Sequence, residues 1–221
     1  MNVLVIGASR GIGLELVRQY REAGARVIAT ARSDEGLAAL RALGATALRV
    51  DVANPASVSG LAWQLDGEKL DVALYVAGVM SRGNAKAPPT QPDFDRVLHT
   101  NVLGAMQVIP QVAPLVEEAQ GRFGFISSDM GCIAGVDSCY SWTYRVSKAA
   151  LNMAVAAARH DYPRAIFAAL SPGWVQTDMG GPSAPTTVQD SVAALRKTLA
   201  QLTLADSGKF FMQDGQPYPG W

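Results

Sequence analysis

Short runs that are apolar throughout alternate with segments whose apolar residues recur at helical spacing, and this alternation constrains the chain more than any other feature. "NVLVIG" is a buried strand, and "GIGLELVRQYREAG" places Ile12, Leu16, Val17 and Tyr20 on one helical face before Gly24 ends it. "RVIAT" restores a strand. A helix over about 34–43, a strand "TALRV", a helix after Asn54 and Pro55, and a strand "DVALYVAG" follow. The second half predicts a long helix over 94–118, a strand "RFGFISS", a helix over 142–160, a strand "AIFAALS", a helix over 187–202 and a last strand "KFFM". Pro110 and Pro114 are expected to kink or shorten the first of these helices.

Strands without polar alternation need cover on both faces. Successive β-α-β units with right-handed crossovers therefore predict one α/β domain over residues 1–221, a doubly wound, Rossmann-type parallel sheet of about seven strands with helices on both sides. Two loops, 81–92 and 173–186, are rich in Gly, Pro, Ser and Thr, yet neither reads as a domain linker. The nineteen basic and nineteen acidic side chains balance, so nothing points to nucleic acid. The apolar start is too short for a membrane span or signal peptide, and the expectation is a soluble, cytoplasmic protein. Cys132 and Cys139 lie seven apart without a nearby histidine, and His99 and His160 have no ligand partner at metal spacing, so no metal site is expected.

"GASRGIG" falls between the first strand and the first helix, where glycines permit a tight turn and bring a pyrophosphate to a helix N-terminus. Gly7, Ser9, Arg10, Gly11, Ile12 and Gly13 are thus candidate cofactor contacts; the alternative is an ordinary glycine-rich turn. Arg32 stands nineteen residues after Gly13, near the place where an acidic residue would hold the ribose hydroxyl of NAD. With Arg10 it would clamp a 2′-phosphate, which predicts NADP(H); the alternative is two solvated arginines. Asp34 is read as a helix cap. Asp51, followed by Val52, would bond the adenine amino group or cap the next turn. "VAG" at Val76, Ala77 and Gly78 leaves room for a ribose or simply turns the chain.

"YSWTYRVSK" puts Tyr144 and Lys148 one helical turn apart on one face, with Tyr140 ahead of the helix. An ammonium beside a phenol is expected to lower its pKa from about 10 and suit it to proton transfer. In isolation such a pair is more often a solvated helix face.

Taken in order, "GASRGIG", "DV", "VAG", "TNVLG", "FISS", "YRVSK" and "SPGWVQTD" resemble the short-chain dehydrogenase/reductase family along almost the whole chain, and the ending "SGKFFMQDGQPYPGW" is most similar to its branch around C-factor proteins and sniffer-type carbonyl reductases. The resemblance implies Tyr144 as general acid/base and Lys148 as its pKa-lowering, ribose-binding partner. It implies Ser128, with Ser127 as the alternative, as donor to the substrate carbonyl, and Asn101 as holder of a water linked to Lys148. Pro172, Gly173, Val175 and Thr177 would line the nicotinamide. The implied activity is hydride transfer between NADPH and a small-molecule carbonyl or alcohol, by a homodimer or homotetramer; a dinucleotide-binding sensor or signalling protein is the rival. Ile6 and Val76 stand where the family usually has Thr and Asn. Ser128 precedes Tyr144 by sixteen positions, slightly more than usual, and the extra length around "GVDSCYSW" is read as a substrate wall. Trp142, Trp174, Met80 and Met179 are apolar pocket candidates, and 173–192 is read as a short, flexible cover over an open site.

Overall fold

The computed structural model describes residues 1–221. Seven strands form one parallel sheet: β1 (Asn2–Ile6), β2 (Arg26–Ala31), β3 (Thr46–Arg49), β4 (Val72–Tyr75), β5 (Arg122–Ile126), β6 (Ile166–Leu170) and β7 (Lys209–Phe211), in the order 3-2-1-4-5-6-7. Helices α1 (Gly11–Glu22), α2 (Asp34–Ala42), α3 (Pro55–Ser59), α4 (Leu61–Gln64), α5 (Gln91–Leu98), α6 (Gly104–Glu118), α7 (Trp142–Ala158) and α8 (Val188–Gln201) connect them. The expected fold class is the one observed.

Strand side chains alternate between two cores. Leu4, Ile6, Tyr75, Phe123, Phe125 and Phe167 face α3, α4, α6 and α7, where Phe123 and Phe125 stack with centroids 4.3 Å apart. Val3, Val5, Val27, Ala29 and Leu170 face α1, α2 and α8. Every one of these residues is buried, so the sheet has no polar face for a period-2 pattern to reveal.

Pro110 and Pro114 do not shorten the long helix. Both sit four residues apart on its exposed ridge, so the carbonyls their missing N–H groups leave free face solvent. The irregularity lies earlier, in a π-turn at His99–Leu103 between α5 and α6. There the Tyr75 hydroxyl donates to the Thr100 carbonyl at 2.6 Å. Gly104 makes that approach feasible, because a Cβ there would lie 2.6 Å from the Tyr75 oxygen and 2.7 Å from the Val52 carbonyl.

The order of strands reverses between β1 and β4. The carboxyl ends of those two strands therefore open into a crevice, the place where doubly wound sheets bind ligands. After β7 the chain folds back: Tyr218 N donates to Phe210 O at 2.9 Å, the two rings stack at 4.0 Å, and Ala134 N donates to Trp221 O at 2.8 Å. The tail thus anchors the loop that follows β5.

Candidate active site

The cleft at the switch point is lined by Gly7, Ser9, Arg10, Gly11, Ile12, Gly13, Arg32, Asp51, Val52, Ala77 and Gly78, and by Tyr144, Lys148, Pro172 and Thr177. Residues far apart in the chain thus share one wall. Gly7 adopts φ +83°, and a Cβ on it would lie 2.6 Å from the Ala77 backbone. Its N–H donates to Thr30 Oγ1 at 3.0 Å, and Ala8 N donates to Thr30 O. Thr30 on β2 so supplies loop bonding next to the position where Ile6 replaces the family's Thr. Val76, in place of Asn, donates its N–H to the Ile6 carbonyl and packs on the apolar cluster beneath.

Helix α1 begins at this loop with no side chain capping it and no acidic residue in its first turn. Its free N–H groups and positive dipole end are directed at the cleft, a fit for a dinucleotide pyrophosphate. At the adenosine end Arg49 pairs with Asp34 and donates to the Arg32 carbonyl at 2.8 Å, while the Arg32 guanidinium has no carboxylate partner. The cap of α2 is Ser33, which accepts from Gly36 N; Asp34 is not the cap. Arg10 ion-pairs with Asp178 at 3.0 Å, joining the glycine loop to the segment after β6. Asp51 Oδ1 accepts from Ala53 N at 3.1 Å, so the turn-capping role is filled by one oxygen of a carboxylate that also lines the cleft.

Tyr144 and Lys148 project from the inner face of α7, and both are buried. The Lys148 ammonium donates to the Ile126 carbonyl at 2.7 Å and lies 5.5 Å from the centre of the Tyr144 ring. The expected acidification of the phenol is not what this geometry produces. Burial pushes Tyr144 up to about 12, opposed by the adjacent Ser128 side chain and reinforced by the Asp129 charge. Burial likewise lowers Lys148 to about 8. A phenol and an amine enclosed together each favour their neutral form.

Ser128 Oγ donates to Asp129 Oδ1 at 2.9 Å and accepts from Met130 N at 3.1 Å, at the start of the 3-10 turn Asp129–Gly131. Ser127 lines the cleft wall, where Ser128 does not, but its hydroxyl is turned to Asn152 Oδ1, to which it donates at 2.6 Å. Of the two serines, the second is the one whose side chain acts on the phenol. Asn101 lies in the π-turn, fully buried; its amide accepts from Val79 N and donates to Val79 O, both at 2.8 Å, and donates to Ser147 Oγ at 2.9 Å. A Cβ on Gly78 would lie 3.6 Å from both Asn101 Oδ1 and Lys148 Nζ, so the two groups flank the same space. Asn101 holds the end of β4 rather than the wall of the cleft.

Gly173 and Val175 do not reach the cleft wall, unlike their neighbours Pro172 and Thr177. Gly173 stands against the Gln213 side chain, and Val175 is buried in a bridge to Thr186. The segment after β6 is hydrogen-bonded rather than loose, with Trp174 Nε1 donating to Gly180 O at 2.8 Å and Gln176 N to Thr186 O at 2.9 Å. Met179 joins the cleft, but Trp142 does not; it lines a separate apolar groove on the outer side of α7 with Met130, Ile133, Val136 and both cysteines. Ala31, Val50, Val79, Thr100, Ile126 and Asp178 line the cleft without having been given a role from sequence, although each lies within or beside a recognised motif. Asp129 was also missed.

The family model described as short chain dehydrogenase matches residues 1–187. The chain is 35% identical to a 1-hydroxy-2-glutathionyl-2-methyl-3-butene dehydrogenase of Rhodococcus, over 96% of both chains. It is 37% identical to the C-signal protein of Myxococcus xanthus, over 68% of this chain and 92% of that one. Among solved structures, the carbonyl reductase Sniffer of D. melanogaster superposes with a TM-score of 0.92 at 28% identity, covering 100% of this chain and 99% of that one. The NADPH-bound carbonyl reductase from chicken fatty liver gives 0.89 at 27%, covering 100% and 98%. With its switch-point cleft, its glycine turn and a match running from the first residue through the loop after β6, this chain belongs to the short-chain dehydrogenase family of NAD(P)-dependent oxidoreductases.

Proposed function

We propose that the protein is an NADP-dependent reductase of carbonyl compounds in which Tyr144 delivers the proton. The observation that carries this reading is the Tyr144 phenol, buried beside Ser128 and above the Lys148 ammonium, in the same cleft as the glycine turn. NADPH, when bound, supplies the hydride. Held well above the neutral range, Tyr144 carries its proton at pH 7 and is set to donate it to a carbonyl oxygen. Lys148, still mainly an ammonium at pH 7, stabilises the phenolate left behind and can bond a ribose hydroxyl. Ser128 adds a second donor at the carbonyl oxygen.

Preference for NADP is supported by the unpartnered Arg32 guanidinium and the Arg49 clasp on Asp34, the nearest carboxylate to Arg32 in sequence. It is also supported by similar chains solved with this cofactor: the chicken enzyme, and a Burkholderia multivorans protein with bound NADP at 28% identity. Tyr144→Phe tests the core of the proposal. Loss of NADPH oxidation on aldehydes, ketones and quinones, with NADPH binding by fluorescence retained, is the expected result; full activity would overturn it.

The identity to C-signal favours a second reading, a dinucleotide-binding signalling protein with little turnover. NADPH binding by the wild type without oxidation on that panel would favour it. For assembly, Leu103, Met106, Val146 and Met153 expose apolar surface on α6, α7 and the turn before α6, which supports a homodimer or homotetramer. Light scattering that returns a single-chain mass would dispose of that. No helix is long and apolar enough to cross a membrane, and two unpaired cysteines suit a reducing cytoplasm.

A further inference from the structure

Asp129 has no role in the chemistry above, yet it is bonded to Ser128 and its charge is felt at Tyr144. Its Oδ1 accepts from Ser128 Oγ and from Met130 N, each at 2.9 Å, and its own N–H donates to Ser171 Oγ at 3.1 Å. These bonds fix the carboxylate in place. Its Oδ2 accepts no hydrogen bond, no cation pairs with it, and the residue is exposed. The nearest ammonium in the site, that of Lys148, is buried and turned to the Ile126 carbonyl. Because Ser128 bonds Asp129 and also acts on Tyr144, a substrate whose carbonyl oxygen meets both donors brings its neighbouring groups within range of the Asp129 carboxylate.

Ser128 has a single proton, and Asp129 takes it. Donating that proton to a substrate carbonyl leaves the carboxylate short of a hydrogen bond. A substrate that carries its own cation or N–H group next to the carbonyl can replace Ser128 at Asp129 and release the hydroxyl to the carbonyl. A substrate with an anion there meets like charge instead.

Resting on the carbonyl-reductase reading, we propose that Asp129 is a specificity-determining residue that selects carbonyl substrates bearing an ammonium or other hydrogen-bond-donating group near the carbonyl and rejects carboxylated ones.

The test uses three benzaldehydes of similar size, carrying 3-amidinio, 3-isopropyl or 3-carboxylate groups, with NADPH and full-length protein. The wild type is expected to rank them cation, neutral, anion by kcat/KM. Asp129→Asn keeps an acceptor for Ser128 and Met130 but removes the charge. It should shrink the cation-to-anion ratio about tenfold, the size of effect expected for one charge at short range in a partly solvated site. Asp129→Ser should do the same, and its melting temperature separates charge from folding. A ratio unchanged within about twofold in both folded variants would overturn the proposal while leaving the reductase reading intact. Wild-type protein that reduces none of the three but reduces other aldehydes, ketones or quinones would overturn this proposal alone; NADPH binding without reduction of any of them would remove the reductase reading, and this one with it.

Discussion

Lys148 Nζ sits 5.5 Å from the centre of the Tyr144 ring while bonding the Ile126 carbonyl at 2.7 Å. The amine is thus held by backbone at the end of β5 and lies over the phenol ring without a direct hydrogen bond between the two side chains. Burial lowers Lys148 to about 8 from its ordinary 10.5. In unfolded chain the amine keeps its proton up to 10.5, so stability from this group is full above that pH and is lost as pH falls through 8. Below pH 8 the folded protein carries a buried charge at a cost on the order of 3 kcal/mol, partly offset by the Ile126 bond. Lys148→Met should therefore raise the melting temperature at pH 7, with an advantage that shrinks as pH approaches 10.5. A variant no more stable than wild type at pH 7 would contradict this.

The same group sets the direction of the rate profile. An ammonium makes Tyr144 a better acid, so carbonyl reduction should slow as pH rises through about 8, where Lys148 loses its charge. Tyr144, held up to about 12, stays protonated across that range and contributes no limb of its own below it. Stopped-flow measurement of the hydride step against pH checks this, and a step that quickens above pH 8 would rule it out.

The adjacent serines should separate cleanly. Ser127 and Asn152 are both buried and share a 2.6 Å bond, so Ser127→Ala strands the Asn152 oxygen and should cost about 1–3 kcal/mol of stability with kcat little changed. Ser128→Ala loses a turn cap but leaves Met130 N bonded to Asp129, so it should cost no more than about 1 kcal/mol while lowering kcat/KM on the order of 10²-fold. The reverse assignment of effects would exchange their roles.

Arg32→Asp places a carboxylate where the free guanidinium stands. The NADP-to-NAD ratio of kcat/KM should fall by on the order of 10², through lost charge-assisted bonding to the 2′-phosphate and gained bonding to a ribose hydroxyl. Arg10 starts from a different state, since its guanidinium already pairs with Asp178. A ratio unmoved by the Arg32 change would discard the clamp.

What could be read from sequence was whatever has a short period or a local partner. Each apolar run became a strand because burial on both faces leaves no polar residue to interrupt it, and the Tyr144–Lys148 pair follows from helical spacing alone. The π-turn was illegible, because it depends on Tyr75 and Val52 closing on Gly104 from other elements. Pro110 and Pro114 were misjudged, since their effect depends on which way α6 is rotated, a property of packing. The pKa of Tyr144 came out in the wrong direction for the same reason: sequence shows the amine four residues on but not the enclosure of both groups. Arg10 and Asp178 are 168 residues apart, and only the fold brings them together.

Ser141 offers a test of how the helix that carries Tyr144 is mounted. It precedes α7 at φ 54°, ψ 41°, a left-handed conformation that costs a non-glycine residue about 1–2 kcal/mol. Its side chain is fully buried, and its Oγ finds no hydrogen-bond partner, a further cost on the order of 1 kcal/mol. The bond that locates the residue runs through the backbone, from Ser141 N to the Gly83 carbonyl at 2.7 Å, and survives any side-chain change. Ser141→Gly removes both costs and adds about 0.5–1 kcal/mol of unfolded-chain entropy to be lost on folding. The net expectation is a gain of about 1 kcal/mol, seen as a melting temperature higher by about 2–4 °C. A lower melting temperature would mean that the hydroxyl has a partner or that the backbone at this position is not strained.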